Sequence, residues 1–178
     1  MKEPIVVSGF LKPDEINHLS AMGKILMRSN KHFFDYQDGA STSYYSHPAI
    51  EALLITKLQI MKDATKKNLA PGYSYFRIYN KYAYLKEHKD RPTCEWSVTV
   101  FVDSCGTCDW PIKMDGKDYF LKKGDAIIYR GCDWKHSRDE YLGDWHFQCF
   151  LHFVDMDGPY KHLIFDGRKT LGDSKDFV

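Results

Sequence analysis

YNKYAYLKEHKDRP, residues 79–92, carries the pair on which the reading of this chain turns: His88 and Asp90. They are two residues apart, so on an extended segment both side chains leave the same face. An imidazole beside a carboxylate supplies two of the three ligands of a facial metal site and leaves the other positions open. The third ligand has to come from elsewhere, and the candidate is His136, 48 residues later in GDAIIYRGCDWKHSRD. A His-x-Asp pair is short and arises by chance, so it also reads as surface residues ending a strand. What surrounds it decides between the two.

The bulk numbers remove several classes. A chain of 178 residues suits one domain with a sizeable core. An apolar content of 43% and a charged content of 28% are those of an ordinary globular protein. A net charge of +1 gives no general pull toward nucleic acid or a membrane surface. No apolar run approaches the roughly 18 residues of a membrane span, and MKEPIVVSGF lacks the apolar stretch of a signal peptide. Five cysteines at scattered spacings fit a reducing, cytoplasmic setting better than a disulfide framework. No nucleic-acid or membrane partner is expected.

Outward from the pair, the N-terminal third reads as helical. Residues 4–8 form a short strand, and Pro13, Asp14 and Glu15 look like a first helical turn. Ile16, Leu19, Met22 and Ile25 carry that helix to about Met27. Residues 30–43 read as a loop tucked down by Phe33, Phe34 and Tyr36. A second helix starts with Ser46 as N-cap and Pro48 just inside. Its apolar stripe is Ile50, Leu53, Leu54, Leu58 and Met61, and it stops at residues 66–68 and Pro71-Gly72. From Tyr73 the texture is that of strands: 73–79, 82–86, 96–102, 119–121, 126–129 and 145–154. Asp115-Gly116 is a hairpin signal. Two helices followed by six or more short strands suggest helices packed on a β-sandwich or barrel. The tail from Gly158 is partly polar and expected to be loosely held.

The order strand, His-x-Asp, strong strand, hairpin, Gly-Asp with an apolar strand, then His resembles the Fe(II)/2-oxoglutarate-dependent dioxygenases, in particular their prolyl-4-hydroxylase-like branch. VVSGFLKPDEINHL resembles the strand and helix with which those enzymes often begin. FRIYNKYAYLKEHKD resembles the strand leading to their first metal ligands, and LKKGDAIIYRGCDWKHSRD the strand and turn leading to the second histidine. The resemblance covers about residues 4–155. It implies an α+β, mainly β chain with a double-stranded β-helix (jelly-roll, cupin-like) core and two N-terminal helices packed against it. The whole, 1–178, is then one domain with a C-terminal extension at 156–178.

The resemblance implies further that His88, Asp90 and His136 hold Fe(II), with 2-oxoglutarate as cosubstrate and O₂ as oxidant. The substrate, peptidyl or prolyl side chain or small molecule, is hydroxylated while succinate and CO₂ are released. These enzymes usually place an Arg or Lys nine or ten residues after the second histidine, to pair with the distal carboxylate of 2-oxoglutarate. Here Trp145 and His146 stand there. Arg138 is the first substitute: on a strand it shares the face of His136, and a guanidinium binds a carboxylate bidentately. His146 and Arg77 follow, and Tyr79 is expected against the cosubstrate. Arg91 could reach substrate or cosubstrate, and Tyr44, Tyr45, Trp110 and Trp134 could line the mouth. Two other readings stay open, a cupin-like metalloprotein that does not use 2-oxoglutarate and a metal-free jelly-roll binding module. Cys105-x-x-Cys108 lacks a second Cys-x-x-Cys and reads as a turn with two free thiols. His152 and His162 have no ligand partner at a telling spacing.

Overall fold

A computed structural model describes residues 3–29, 41–106 and 108–173. It is mainly β, with ten strands and three α-helices among the described residues. After β1 (Ile5–Val7) comes helix α1 (Pro13–Arg28), with Pro13 and two acids in its first turn as expected. The stretch expected to be one helix from Pro48 is two, α2 (Pro48–Thr56) and α3 (Leu58–Thr65), broken at Lys57. Lys57 is buried and pairs with Glu15 at 2.5 Å, a tertiary contact that no stripe of apolar residues signals. The N-cap is His47 rather than Ser46: its Nδ1 accepts the Ala49 N–H at 3.3 Å, while Ser46 is left-handed at φ 49°.

The strands form two antiparallel sheets. β2 (Ser41–Tyr45), β3 (Leu69–Asn80), β5 (Trp96–Ser104), β8 (Ala126–Tyr129) and β10 (Trp145–Asp155) join β1 in the larger, in the order β1-β8-β5-β10-β3-β2. β4 (Leu85–His88), β6 (Ile112–Met114), β7 (Lys117–Tyr119) and β9 (His136–Arg138) make the smaller, in the order β4-β9-β6-β7. From β3 to β10 the chain therefore passes back and forth between the sheets. Asp115 and Gly116 both have positive φ (44° and 82°), the type I′ geometry that matches the twist of the β6–β7 hairpin.

Three further expectations need correction. Residues 41–43, expected as loop, begin β2, which pairs with β3 from Ser41↔Tyr79 to Tyr45↔Tyr75; Phe33, Phe34 and Tyr36 lie outside the described residues. Pro71-Gly72 does not break the chain but lies inside β3, where the register with β10 shifts and the missing proline N–H is tolerated. A Cβ on Gly72 would stand 3.0 Å from the His152 carbonyl, so a bare backbone suits this approach. The tail, expected to be loose, is tied down as far as residue 173. Lys161–Gly167 is two short turns joined by a kink, with Phe165 and Asp166 left-handed, Arg168 donates to Glu51 of α2 at 2.6 Å with both side chains buried, and Gly172 N–H bonds the other Glu51 oxygen.

The alternation of side chains along the long strands places the core and the site. Val98, Val100, Phe147, Cys149, Leu151, Phe153, Phe76 and Ile78 face one way and pack with Leu19, Ile50, Leu54 and Met61 of the helices. The intervening residues line or border the two cavities described below: Tyr73, Tyr75, Arg77 and Tyr79 on β3, and His146, Gln148, Phe150 and His152 on β10. Among the described residues no helix is long and apolar enough to cross a membrane. All five cysteines are free thiols.

Candidate metal centre

His88 ends β4 and His136 opens β9, and the two are cross-strand partners in the smaller sheet. Asp90 follows β4, its N–H bonded to the Gly131 carbonyl at 2.9 Å. The pairing brings the two imidazoles to 4.3 Å between ring centroids. Asp90 Oδ1 stands 3.5 Å from both His88 Nε2 and His136 Nε2, and the three donor atoms lie within 4.8 Å of one another.

Each histidine is oriented by backbone. His88 Nδ1 lies 2.7 Å from the Lys86 carbonyl and His136 Nδ1 3.1 Å from the Trp134 carbonyl. A carbonyl only accepts, so each Nδ1 carries a proton, and a neutral ring turns the Nε2 lone pair toward Asp90. This is the arrangement by which protein metal sites fix a ligating histidine. Two lone pairs facing a carboxylate are matched by a cation between them, so the donor set fits a divalent metal. Burial by itself would raise the Asp90 carboxyl, but without a metal a proton on the facing Nε2 atoms turns these contacts into charged hydrogen bonds, and those to His136 and His88 hold it far below the ordinary carboxylate range. The same contact raises His88, against the opposing effect of its burial.

Behind Asp90 the packing is tight. Its Oδ2 accepts from the Ser97 hydroxyl at 3.2 Å, and Ser97 Oγ also lies 2.9 Å from His152 Nδ1. A Cβ on Gly131 would collide with Asp90 Oδ2, the Cys94 carbonyl (2.5 Å) and Ser97 Oγ (2.6 Å), so only glycine fits there. Arg91, next to Asp90, is held by a bidentate pair with Asp166 of the C-terminal segment at 2.6 and 2.8 Å and lies over the Tyr73 ring. Tyr45 donates to the same Asp166 at 2.6 Å.

The trio opens on a cavity of about 450 Å³ whose walls include Tyr45, Tyr73, Tyr75, Arg77, Tyr79, Tyr129 and Phe150. Of the residues singled out from sequence, Arg77, Tyr79, Arg91 and Tyr45 thus share the space of His88, Asp90 and His136. Arg138 and His146 do not line it. They belong with Gln148, Phe101 and Trp110 to a second cavity of about 550 Å³. Arg138 is nevertheless a near neighbour of the trio, two residues beyond His136 on the same face of β9 and opposite Leu85, which lines the first cavity. Tyr44 packs on Phe76 in the core and Trp134 on the apolar cluster of Ile112, Met114, Ile127 and Tyr129.

The Arg138 guanidinium is buried. It donates to the Trp110 carbonyl at 2.6 Å and stacks on the Trp110 ring, and burial pulls it down to about 10, still charged at neutral pH. Arg138 Nε, His146 Nδ1 and Gln148 Oε1 are buried and have no hydrogen-bond partner among the described residues. Gln148 Nε2 lies 3.0 Å from His146 Nε2, which places the ring proton on the unsatisfied Nδ1. Burial, then the nearby guanidinium, holds His146 well below its ordinary value, so the ring is neutral. Two buried donors without acceptors form a receptor for an anion.

Sequence reasoning missed Ser97, Cys94 and Gly131, and set His152 aside for want of a partner. The signal available for His152 was the alternation in WHFQCFLHFV, which sets His146, Gln148, Phe150 and His152 on one face and Phe147, Cys149, Leu151 and Phe153 on the other.

No family model matches this chain, and no curated protein does. Solved structures do. A prolyl-4-hydroxylase from Pseudomonas putida superposes with a TM-score of 0.69 at 15% identity, over 85% of this chain and 92% of that one. A viral collagen prolyl hydroxylase from Paramecium Bursaria Chlorella virus-1, solved as a complex with 2-oxoglutarate, gives 0.65 at 13% identity over 85% and 96%. HygX from Streptomyces hygroscopicus, solved with nickel, 2-oxoglutarate and hygromycin B, gives 0.67 at 11% identity over 86% and 83%. At these identities the likeness is one of fold.

Proposed function

We propose that this chain is an Fe(II)- and 2-oxoglutarate-dependent oxygenase on a double-stranded β-helix, with His88, Asp90 and His136 as its metal ligands. The observation that carries the reading is the pair of imidazoles with each Nδ1 tied to a carbonyl and each Nε2 turned to one Asp90 oxygen. Solved structures of the same fold hold 2-oxoglutarate, one of them with nickel, which supports the cosubstrate. When bound, iron and 2-oxoglutarate supply the oxidising chemistry with O₂, releasing succinate and CO₂, while the protein supplies orientation and a closed site.

The residues of the chain take three tasks. His88, Asp90 and His136 would hold the metal. Arg138 pairs with the distal carboxylate of 2-oxoglutarate and His146 Nδ1–H adds a second donor, taking over from the absent Arg or Lys at positions 145 and 146. Arg77 is the alternative partner, in the cavity that the histidine pair itself lines. Tyr79 lines the path between metal and carboxylate. The tyrosines at 45, 73 and 75 with Phe150 form an aromatic wall for a flat or apolar part of the substrate, a small molecule or a peptidyl side chain that is hydroxylated.

Anaerobic addition of Fe(II) and 2-oxoglutarate to the metal-free protein tests this. The weak visible absorption of the iron chelate of 2-oxoglutarate is expected with the wild type and is lost in Asp90→Ala. Iron binding without that absorption would favour a metalloprotein that does not use 2-oxoglutarate. No iron binding would refute the metal centre.

A further inference from the structure

We infer that Asp90 is shared by a second cation site, completed by Cys94 and His152, which takes a thiophilic divalent cation such as Zn(II) beside the histidine pair. The inference rests on the proposed metal centre only in its use of Asp90.

One donor atom from each of Asp90, Cys94 and His152 lies within 4.8 Å of the others. Asp90 and Cys94 come from one stretch, the loop after β4 and the 3₁₀ turn Pro92–Cys94 that follows it, and His152 is brought to them by β10. All three line the cavity that opens on the histidine pair, so a cation has a route in. Asp90 is suited to serve both sides. Its Oδ1 faces His88 and His136, while its Oδ2 is turned to Ser97 and the interior.

The neighbouring hydrogen bonds prepare the other two ligands. Ser97 Oγ donates to Asp90 Oδ2 or to the Cys94 carbonyl, both at 3.2 Å, so toward His152 it acts as acceptor. The His152 proton is then on Nδ1, at 2.9 Å, and Nε2 keeps its lone pair. The Tyr73 hydroxyl stands 3.2 Å from Cys94 Sγ, placed to donate to a thiolate. Cys94 is not in a disulfide, so its sulfur is available to a cation. Binding forms a metal–sulfur bond, breaks the S–H bond and releases that proton to solvent. A sulfur, nitrogen and oxygen set selects a softer ion than Fe(II). Ligands at about 2.0–2.3 Å from one tetrahedral ion stand about 3.5 Å apart, so donor atoms no more than 4.8 Å apart need only a small closure. Water completes the coordination.

The test is an anaerobic titration of the metal-free protein with Co(II), which reports a thiolate ligand by an intense near-ultraviolet charge-transfer band. Equilibrium dialysis counts the bound ions. The wild type is expected to take two equivalents, one of them bringing the thiolate band. Cys94→Ser loses the band and one equivalent, and Cys94→Ala does the same if serine is not tolerated in burial. Cys132→Ser, which removes the thiol that donates to the Arg91 carbonyl, keeps both. His136→Ala loses the other equivalent but keeps the band. A wild type without the band, or a band that survives both Cys94 variants, overturns the second site. The absorption of the iron chelate of 2-oxoglutarate reads the first site separately. Its failure with an intact thiolate band would sink the oxygenase reading and leave the second site standing.

Discussion

Arg138→Met removes a buried guanidinium while keeping much of its apolar bulk. In the folded chain this cation has one hydrogen bond, to the Trp110 carbonyl, and Nε faces no acceptor among the described residues. A carboxylate bound there gains a charge-assisted hydrogen bond, worth about 1.5–3 kcal/mol. At about 1.4 kcal/mol per factor of ten, its loss raises the dissociation constant for 2-oxoglutarate about 10- to 150-fold. Stability without ligand is expected to change little, since losing the Trp110 bond is offset by no longer burying a charge. The assay is titration of the iron-loaded protein with 2-oxoglutarate without oxygen, following the chelate absorption, with thermal unfolding of the ligand-free protein alongside. An affinity within about twofold of wild type would refute the assignment. If Arg77→Met has the large effect instead, the carboxylate binds in the first cavity rather than the second.

Gly131→Ala is expected to push Asp90 out of line, lowering stability by about 1–3 kcal/mol as overpacking does and abolishing metal binding; calorimetry and metal titration read the two effects, and full metal affinity would contradict the crowding at this position. Asp166→Asn breaks the bidentate pair with Arg91 and weakens the Tyr45 bond. Because Arg91 is partly exposed, about 1–3 kcal/mol is expected in denaturant unfolding rather than the full cost of breaking a buried pair. His152 is held at about 4 by burial, against 6.5 in an ordinary setting. The unfolded chain therefore takes up a proton that the fold refuses, and stability falls as the pH drops from about 6.5 toward about 4, by up to about 3 kcal/mol. His152→Asn should flatten that part of the metal-free protein's stability curve, and an unchanged slope would show that another group titrates. His88 acts in the opposite sense in both proteins and cancels in the comparison.

The local sequence determined a good deal of this protein. Period-2 and helical patterns located α1 and most strands, because alternation and apolar stripes are written in neighbouring residues. The His88-x-Asp90 spacing predicted a shared face, and the positive-φ demand of a tight hairpin was legible in Asp115-Gly116. The tertiary structure decided what no window contains. The pairing of β4 with β9 brings His136 to the pair across 48 residues of chain, while Arg138 and His146 meet at a second cavity rather than beside the histidines. The break at Lys57, the strand running through Pro71-Gly72 and the anchored C-terminal segment each depend on a partner far away in sequence: Glu15, the shifted register of β10 and Glu51. His152 and Cys94 read as isolated residues because their neighbours are spatial. Distance along the chain carries no information about which buried polar groups satisfy one another; packing of the two sheets sets that.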